Sequence, residues 1–149
     1  MSSSREVELH LYDGSTRTVT VTDIETEYPI GRLIVSYTDT NGILLHANKA
    51  FIDISGFTKE ELIGQPQNIV RHPDMPKAAF KDMWETIQGG KTLYVYVKNL
   101  GKDGRYYWVY ATVVPSFNPE GKIVAYTSIR RMPSPEKLKE AQEYYKTLS

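Results

Sequence analysis

The chain has 149 residues, 40% of them apolar, enough for one packed core with short appendages. Eighteen basic and eighteen acidic side chains cancel, so no net charge draws it to nucleic acid or anionic lipid, and no apolar run reaches the length of a membrane span. The absence of cysteine excludes disulfides, thiolate metal sites and cysteine nucleophiles, and with no secretory pattern at its start the expected location is the cytoplasm.

Residues 1–6 carry no pattern and are expected to be disordered. Val7, Leu9 and Leu11 then alternate with Glu8, His10 and Tyr12, Asp13-Gly14 marks a hairpin turn, and Thr18–Thr22 resumes the alternation. This predicts a β-hairpin over 7–22. A connector, 23–32, holds Pro29 and Gly31. Leu33–Thr38 reads as a strand, Asp39-Thr40-Asn41-Gly42 as a turn, and Ile43–His46 as the returning strand.

Helical spacing begins at Asn48, with Ala50, Phe51, Ile54 and Phe57 on one face and a break near Gly56. Thr58 and Glu61 have the spacing of a capping box, and Gly64 ends that turn. Ala79, Phe80, Met83, Trp84 and Ile87 predict an amphipathic helix over about 76–88, stopped by Gly89-Gly90. Three strands follow, 92–100, 104–116 and 122–131, joined by Lys102-Asp103-Gly104 and Asn118-Pro119-Glu120-Gly121. Ser134-Pro135-Glu136 opens a last helix with an apolar stripe at Leu138, Ala141, Tyr145 and Leu148. The order is that of an α+β domain with three parts: an extension over 1–32, a core over 33–132 and a terminal helix over 133–149.

The densest segment is Asn68-Ile69-Val70-Arg71-His72-Pro73-Asp74-Met75-Pro76. Two prolines and three ionisable side chains in nine positions suit neither helix nor strand, because proline fixes φ and lacks an N–H. Arg71 offers a fork of donors to a phosphate or ring carbonyl, or else an ion pair to Asp74 or Glu61. His72 reads as a flavin contact, a haem-iron ligand or an exposed loop imidazole. Asp74 also fits an N-cap for the following helix, and Trp84 serves core or cofactor wall equally.

Strand periodicity puts Leu93, Val95, Val97 and Asn99 on one face, with Val109, Ala111 and Val113 on the matching face of the next strand. That small aliphatic face suits a ligand. Tyr94, Tyr96, Trp108 and Tyr110 make the reverse face aromatic, so an appendage or a second copy is expected to cover it. Asn99 at the end of the apolar face needs hydrogen-bond partners if buried. No nucleophile–base set, recurring metal spacing or phosphate loop is visible, which points to a sensor or binding module rather than an enzyme.

Thr40-Asn41-Gly42 followed by Asn48, the run Gly56-Phe57-Thr58-Lys59-Glu60-Glu61-Leu62-Ile63-Gly64, and Gly104-Arg105-Tyr106-Tyr107-Trp108 resemble landmarks of PAS domains. Arg71-His72-Pro73-Asp74-Met75-Pro76-Lys77-Ala78-Ala79-Phe80 with Met83-Trp84, supported by Val97-Lys98-Asn99 and Ser128-Ile129-Arg130, resembles the aerotaxis-receptor type. The resemblance implies the PAS fold: a five-stranded antiparallel sheet with short helices on one face, here with an added N-terminal hairpin and C-terminal helix. It implies non-covalent FAD, and a report of redox state or oxygen-linked electron flow to a chemotaxis signalling domain or separate membrane receptor. Asn48, Arg71, His72, Asp74, Trp84 and Asn99 match positions tied to flavin binding or signalling. The chain departs from that family at Leu93, usually Trp, and at Val95, often Gly. A haem gas sensor using His72, and a ligand-free interaction module filled by Leu93 and Val95, are the other readings. A homodimer is expected.

Overall fold

The computed structural model describes residues 4–10, 16–27 and 31–148. The predicted turn at Asp13-Gly14 and Pro29 of the connector lie outside them. Two strands, β1 (Ser4–His10) and β2 (Thr16–Thr22), pair antiparallel from Ser4↔Thr22 to His10↔Thr16. The strand therefore begins at Ser4, inside the stretch expected to be disordered. The reason is register: β2 runs on to Thr22, and its last residues give Ser4–Glu6 partners that local pattern does not reveal.

The remaining strands are β3 (Ile34–Thr38), β4 (Leu44–Ala47), β5 (Leu93–Leu100), β6 (Tyr106–Phe117) and β7 (Ile123–Arg131). They form one antiparallel sheet in the order β4-β3-β7-β6-β5. The helices α1 (Lys49–Ser55), α2 (Lys59–Leu62) and α3 (Lys77–Gln88), with a 3-10 turn at Gln67–Val70, connect β4 to β5. The last helix, α4, is Pro135–Lys146. This is the fold expected from the strand and helix order.

Local chemistry accounts for the connecting helices. Asn48 caps α1: its Oδ1 accepts from Phe51 N–H at 3.1 Å and from Val35 N–H at 3.1 Å, while its Nδ2 donates to Leu33 O at 2.9 Å. One side chain thus starts the helix and ties it to β3. Gly56, at φ 77°, ends α1 in the left-handed conformation open to glycine. Thr58 and Glu61 form the reciprocal capping box at α2. Ala50, Phe51, Ile54 and Phe57 are all buried, so α1 and the turn after it lie on the sheet through the predicted face. With Ile34, Leu44, Leu62, Tyr107 and Val109 they make the apolar core. Each large side chain contributes roughly 1.5–3 kcal/mol by leaving water.

The hairpin docks on the β5–β6 turn by backbone pairing. Thr22 N–H donates to Gly104 O at 2.9 Å, Tyr106 N–H to Ile24 O at 3.0 Å, and Thr26 N–H to Tyr106 O at 2.7 Å. Gly104 is essential to this approach: its φ is +94°, and a Cβ there would lie 2.1 Å from Thr20 O. The aromatic sheet face is met by α4 at Tyr96 and Trp108 only, and Tyr94, expected to be covered with them, stays exposed. Tyr145 stacks on Trp108 with centroids 6.3 Å apart, and its hydroxyl donates to Tyr96 O. Tyr96 packs on Tyr110 at 4.8 Å. Burial pushes the Tyr145 hydroxyl up to about 12.

Gly104→Ala is expected to lower stability by about 1–3 kcal/mol, from backbone strain and loss of hairpin docking; an unchanged urea midpoint would contradict this. Tyr145→Ala should uncover Trp108, red-shifting tryptophan emission and raising binding of a hydrophobic dye, whereas Tyr145→Phe, which keeps the ring, should lose only about 1 kcal/mol of stability. Emission identical in wild type and Tyr145→Ala would mean that α4 does not shield this face.

Candidate functional site

Beside the packed core the sheet and α3 separate enough to leave a cavity of about 200 Å³. One wall is the aliphatic face predicted from strand alternation, with Leu93, Val95 and Val97 from β5 and Ala111 and Val113 from β6. The opposite wall is α3, through Phe80, Met83, Trp84 and Ile87, so its amphipathic stripe faces this space. Two apolar walls, one of strands and one of helix, suit an apolar ring system.

Trp84 is held from two sides. Its ring meets Tyr126 edge to face at 6.0 Å, and a Cβ at Gly42 would sit 3.0 Å from it. Gly42, at φ +81°, therefore both makes the β3–β4 turn and leaves room for the indole.

The polar edge is built by the Asn68–Pro76 segment. Gln67–Val70 turns as a 3-10 helix, after which Arg71 forms an isolated antiparallel bridge with Asn99 of β5, and His72 N–H donates to Lys98 O at 3.3 Å. Residue alternation then sorts the side chains. Arg71 and Asn99 line the cavity, while His72, Lys98 and Asp74 do not. The Arg71 guanidinium lies 4.2 Å above the Phe80 ring, and burial lowers its pKa. Among the described residues no carboxylate pairs with it, so neither the Asp74 nor the Glu61 ion pair forms. Asn68 Oδ1, also at the cavity, is buried without a hydrogen-bond partner among the described residues. The described lining includes Arg71 and Arg130 but no aspartate or glutamate. The edge is thus rich in donors and set for a ligand bearing carbonyl, ring-nitrogen or phosphate acceptors.

Residues 44–130 match the family described as PAS fold. The chain belongs to the PAS family. It is 47% identical over 116 residues to the aerotaxis receptor of Escherichia coli, an alignment covering 78% of this chain and 23% of the receptor. The chain thus spans less than a quarter of that relative's length. The structure is similar to the light-state light-oxygen-voltage (LOV) domain of the blue-light photoreceptor Aureochrome1, with a TM-score of 0.68, 20% identity, and coverage of 74% of this chain and 89% of that one. It is also similar to a LOV domain studied with a flavin analogue, with a TM-score of 0.65, 18% identity, and coverage of 78% and 87%. These likenesses make it a PAS domain related to a sensory receptor.

Within this PAS domain the six residues singled out from sequence divide evenly. Arg71, Trp84 and Asn99 line the cavity; Asn48, His72 and Asp74 lie elsewhere. Asn48 has its amide engaged in capping α1 and holding β3. Asp74 joins the hairpin to the sheet, pairing with Arg5 and, at 3.2 Å, with Lys98. It does not cap α3, whose N-cap position is Pro76. Leu93 and Val95 line the cavity and leave it open. Gln67, Asn68 and Arg130 were not among the six. Arg130 was legible, since Tyr126, Ser128 and Arg130 share one face of β7 by simple alternation. Gln67 carried no such signal, because a 3-10 turn has neither helical nor strand period.

His72 is 1% exposed. Its Nδ1 accepts the Asp74 N–H at 3.0 Å, so the proton sits on Nε2, which has no hydrogen-bond partner among the described residues. Burial first, then the nearby Lys98 charge, lowers its pKa from 6.5 to about 4, against the opposing effect of Asp74. Burial pushes the Asp74 carboxyl up, but the Arg5 and Lys98 contacts outweigh it and hold the group below its ordinary 3.8. Between pH 6.5 and 4 the unfolded chain binds a proton at His72 that the folded chain does not, so stability falls as pH falls through that window. The loss should be on the order of 3 kcal/mol. Asp74 acts lower, losing its contribution as pH drops through its folded pKa. His72→Gln should flatten the stability profile between pH 4 and 6.5, read by urea unfolding at each pH; a wild-type slope in that variant would place the titration elsewhere.

Proposed function

We propose that this chain is a sensory, non-enzymatic PAS domain that binds FAD without a covalent bond and reports redox state or oxygen-linked electron flow to a chemotaxis signalling partner. That partner is a signalling domain or a separate membrane receptor, the setting is the cytoplasm, and the domain acts as a homodimer. The observation that carries the reading is the cavity between α3 and β5–β6, with Arg71 and Asn99 side by side at its polar edge. The likeness to the aerotaxis receptor supplies the signalling context. Among the described residues no cluster able to hold a metal ion occurs and no helix is long and apolar enough to cross a membrane.

The residues present fit a flavin ring. A flavin supplies a flat heterocycle that takes up and releases electrons. The aliphatic strands and α3 exclude water from its faces. Arg71 and the Asn99 amide offer donors to its carbonyls or to phosphate oxygens, and Asn68 Oδ1 offers an acceptor. A change in the charge or acceptor strength facing Arg71 and Asn99 alters the bonds these two make. Because they belong to the motif segment and to β5, the change biases how that segment packs on the sheet. Haem ligation by His72 is disfavoured by geometry, since the imidazole lies outside the cavity lining and its Nδ1, by accepting the Asp74 N–H, leaves the proton on Nε2, the nitrogen that would have to ligate.

The test is an absorption spectrum after incubation with FAD, before and after heat release of the chromophore. Flavin bands retained through desalting and freed on melting are expected; their absence would overturn the reading, and a Soret band lost in His72→Ala would favour haem. Arg71→Ala should weaken FAD binding at least tenfold, because a hydrogen bond to a charged group is worth about 1.5–3 kcal/mol. Asn99→Ala should weaken it less, and both should leave the apo melting temperature nearly unchanged. Equal occupancy in wild type and both variants would remove these side chains from the site.

A further inference from the structure

A second polar wall of the cavity contains a hydrogen-bond chain whose direction can be deduced. Arg130, 4% exposed on β7, donates from Nη2 to Ser36 Oγ at 2.8 Å. Its guanidinium also rests 4.4 Å above the Phe51 ring, which holds its plane. Ser36, on β3, is completely buried, and its Oγ in turn lies 3.1 Å from Gln67 Oε1. Arg130 and Gln67 both line the cavity.

Arginine has no acceptor, so the bond between Arg130 and Ser36 runs one way. Ser36 Oγ accepts it and gives its single hydroxyl proton to Gln67 Oε1. Gln67 thus presents its carbonyl oxygen to Ser36, and this bond holds its amide in that orientation. The NH2 end has no hydrogen-bond partner among the described residues, and Gln67 lines the cavity.

We propose that Gln67, oriented by Arg130 through Ser36, is a binding residue for a hydrogen-bond acceptor on the ligand's ring, a carbonyl oxygen or unprotonated ring nitrogen. This rests on the flavin reading above and deepens it. It assigns the subsite to ligands with an acceptor at that edge and against those presenting a donor there. Gln67 belongs to the 3-10 turn, Ser36 to β3 and Arg130 to β7. A ligand bond at Gln67 is thus passed by direct hydrogen bonds to two central strands of the sheet.

The experiment compares wild type with Gln67→Met, Gln67→Glu and Ser36→Ala. It uses riboflavin affinity from fluorescence quenching, the vibrational spectrum of the bound flavin and the apo melting temperature. Gln67→Met keeps the side chain's length and removes its donors, and should weaken binding about three- to tenfold. Gln67→Glu can still accept from Ser36 and can pair with Arg130, so apo stability should hold or rise. It turns an acceptor toward an acceptor, however, and should weaken binding more than Gln67→Met. Ser36→Ala frees the amide to rotate and should give a smaller loss. In the flavin that remains bound to Gln67→Met, the carbonyl or ring-nitrogen band should move toward its position without a hydrogen bond.

Affinity in Gln67→Glu equal to or above wild type would overturn the proposal. So would losses in all three variants that merely track their melting temperatures, with the bound flavin's bands unmoved. If wild type binds no riboflavin and no FAD, the flavin reading itself falls and takes this subsite with it. If wild type and all variants bind alike, only the Gln67 assignment fails.

Discussion

The bridge between Arg71 and Asn99 joins the stretch after the 3-10 turn, Arg71 to Pro76, which forms neither helix nor strand of its own, to the edge strand of the sheet. Two prolines keep that segment out of helix and strand, so without β5 beside it nothing would set the direction of its side chains. Once pinned, alternation takes over. Arg71 and Asn99 face the cavity, and their neighbours His72 and Lys98 stay out of its lining. The same step brings Asp74 within 3.2 Å of Lys98 and into contact with Arg5 of the hairpin. One short stretch of backbone pairing thus arranges the cavity's polar edge and the attachment of the N-terminal extension together.

The polar residues around the cavity fall into two physical kinds. Asn48 has its amide oxygen and nitrogen engaged with backbone, and such a residue holds structure. The Asn68 oxygen is buried with no hydrogen-bond partner among the described residues, a costly state, and the partly buried Gln67 has none there for its amide nitrogen. Groups left in that condition beside an apolar slot between a sheet and a helix are better accounted for by a ligand than by folding. Arg71 and Arg130 in the lining, with no carboxylate there among the described residues, set the sign of the field and favour an acceptor-rich guest.

The outer face of the sheet obeys a different constraint. Tyr96, Trp108 and Tyr110 form an aromatic surface too large to leave wet. Tyr145 of α4 stacks on Trp108 and bonds to the backbone of Tyr96, so the terminal helix rests on strands β5 and β6 that also form the cavity wall. The cavity and the surface that α4 covers are opposite sides of the same two strands. A shift in one strand is therefore felt on both sides.

Strand alternation, turn residues and caps belong to the sequence alone. They determined the individual strands, the three connecting helices, the aliphatic face of Leu93, Val95 and Val97 and the aromatic face behind it, because periods of 2 and 3.6 are local properties, while the five-stranded sheet was implied by the PAS resemblance. The capping box at Thr58 and Glu61 and the glycine stop at Gly56 were legible for the same reason. Tertiary structure decided which of the marked polar residues meet. It gave Asn48 to the α1 cap and Asp74 to the hairpin, and it brought Arg130 from β7 to Gln67, sixty-odd positions earlier in the chain, through Ser36 on β3. It also began β1 at Ser4, where only cross-strand register supplies partners. Such choices depend on which side of a strand faces which neighbour, and that is set by long-range pairing rather than by any pattern within a single segment.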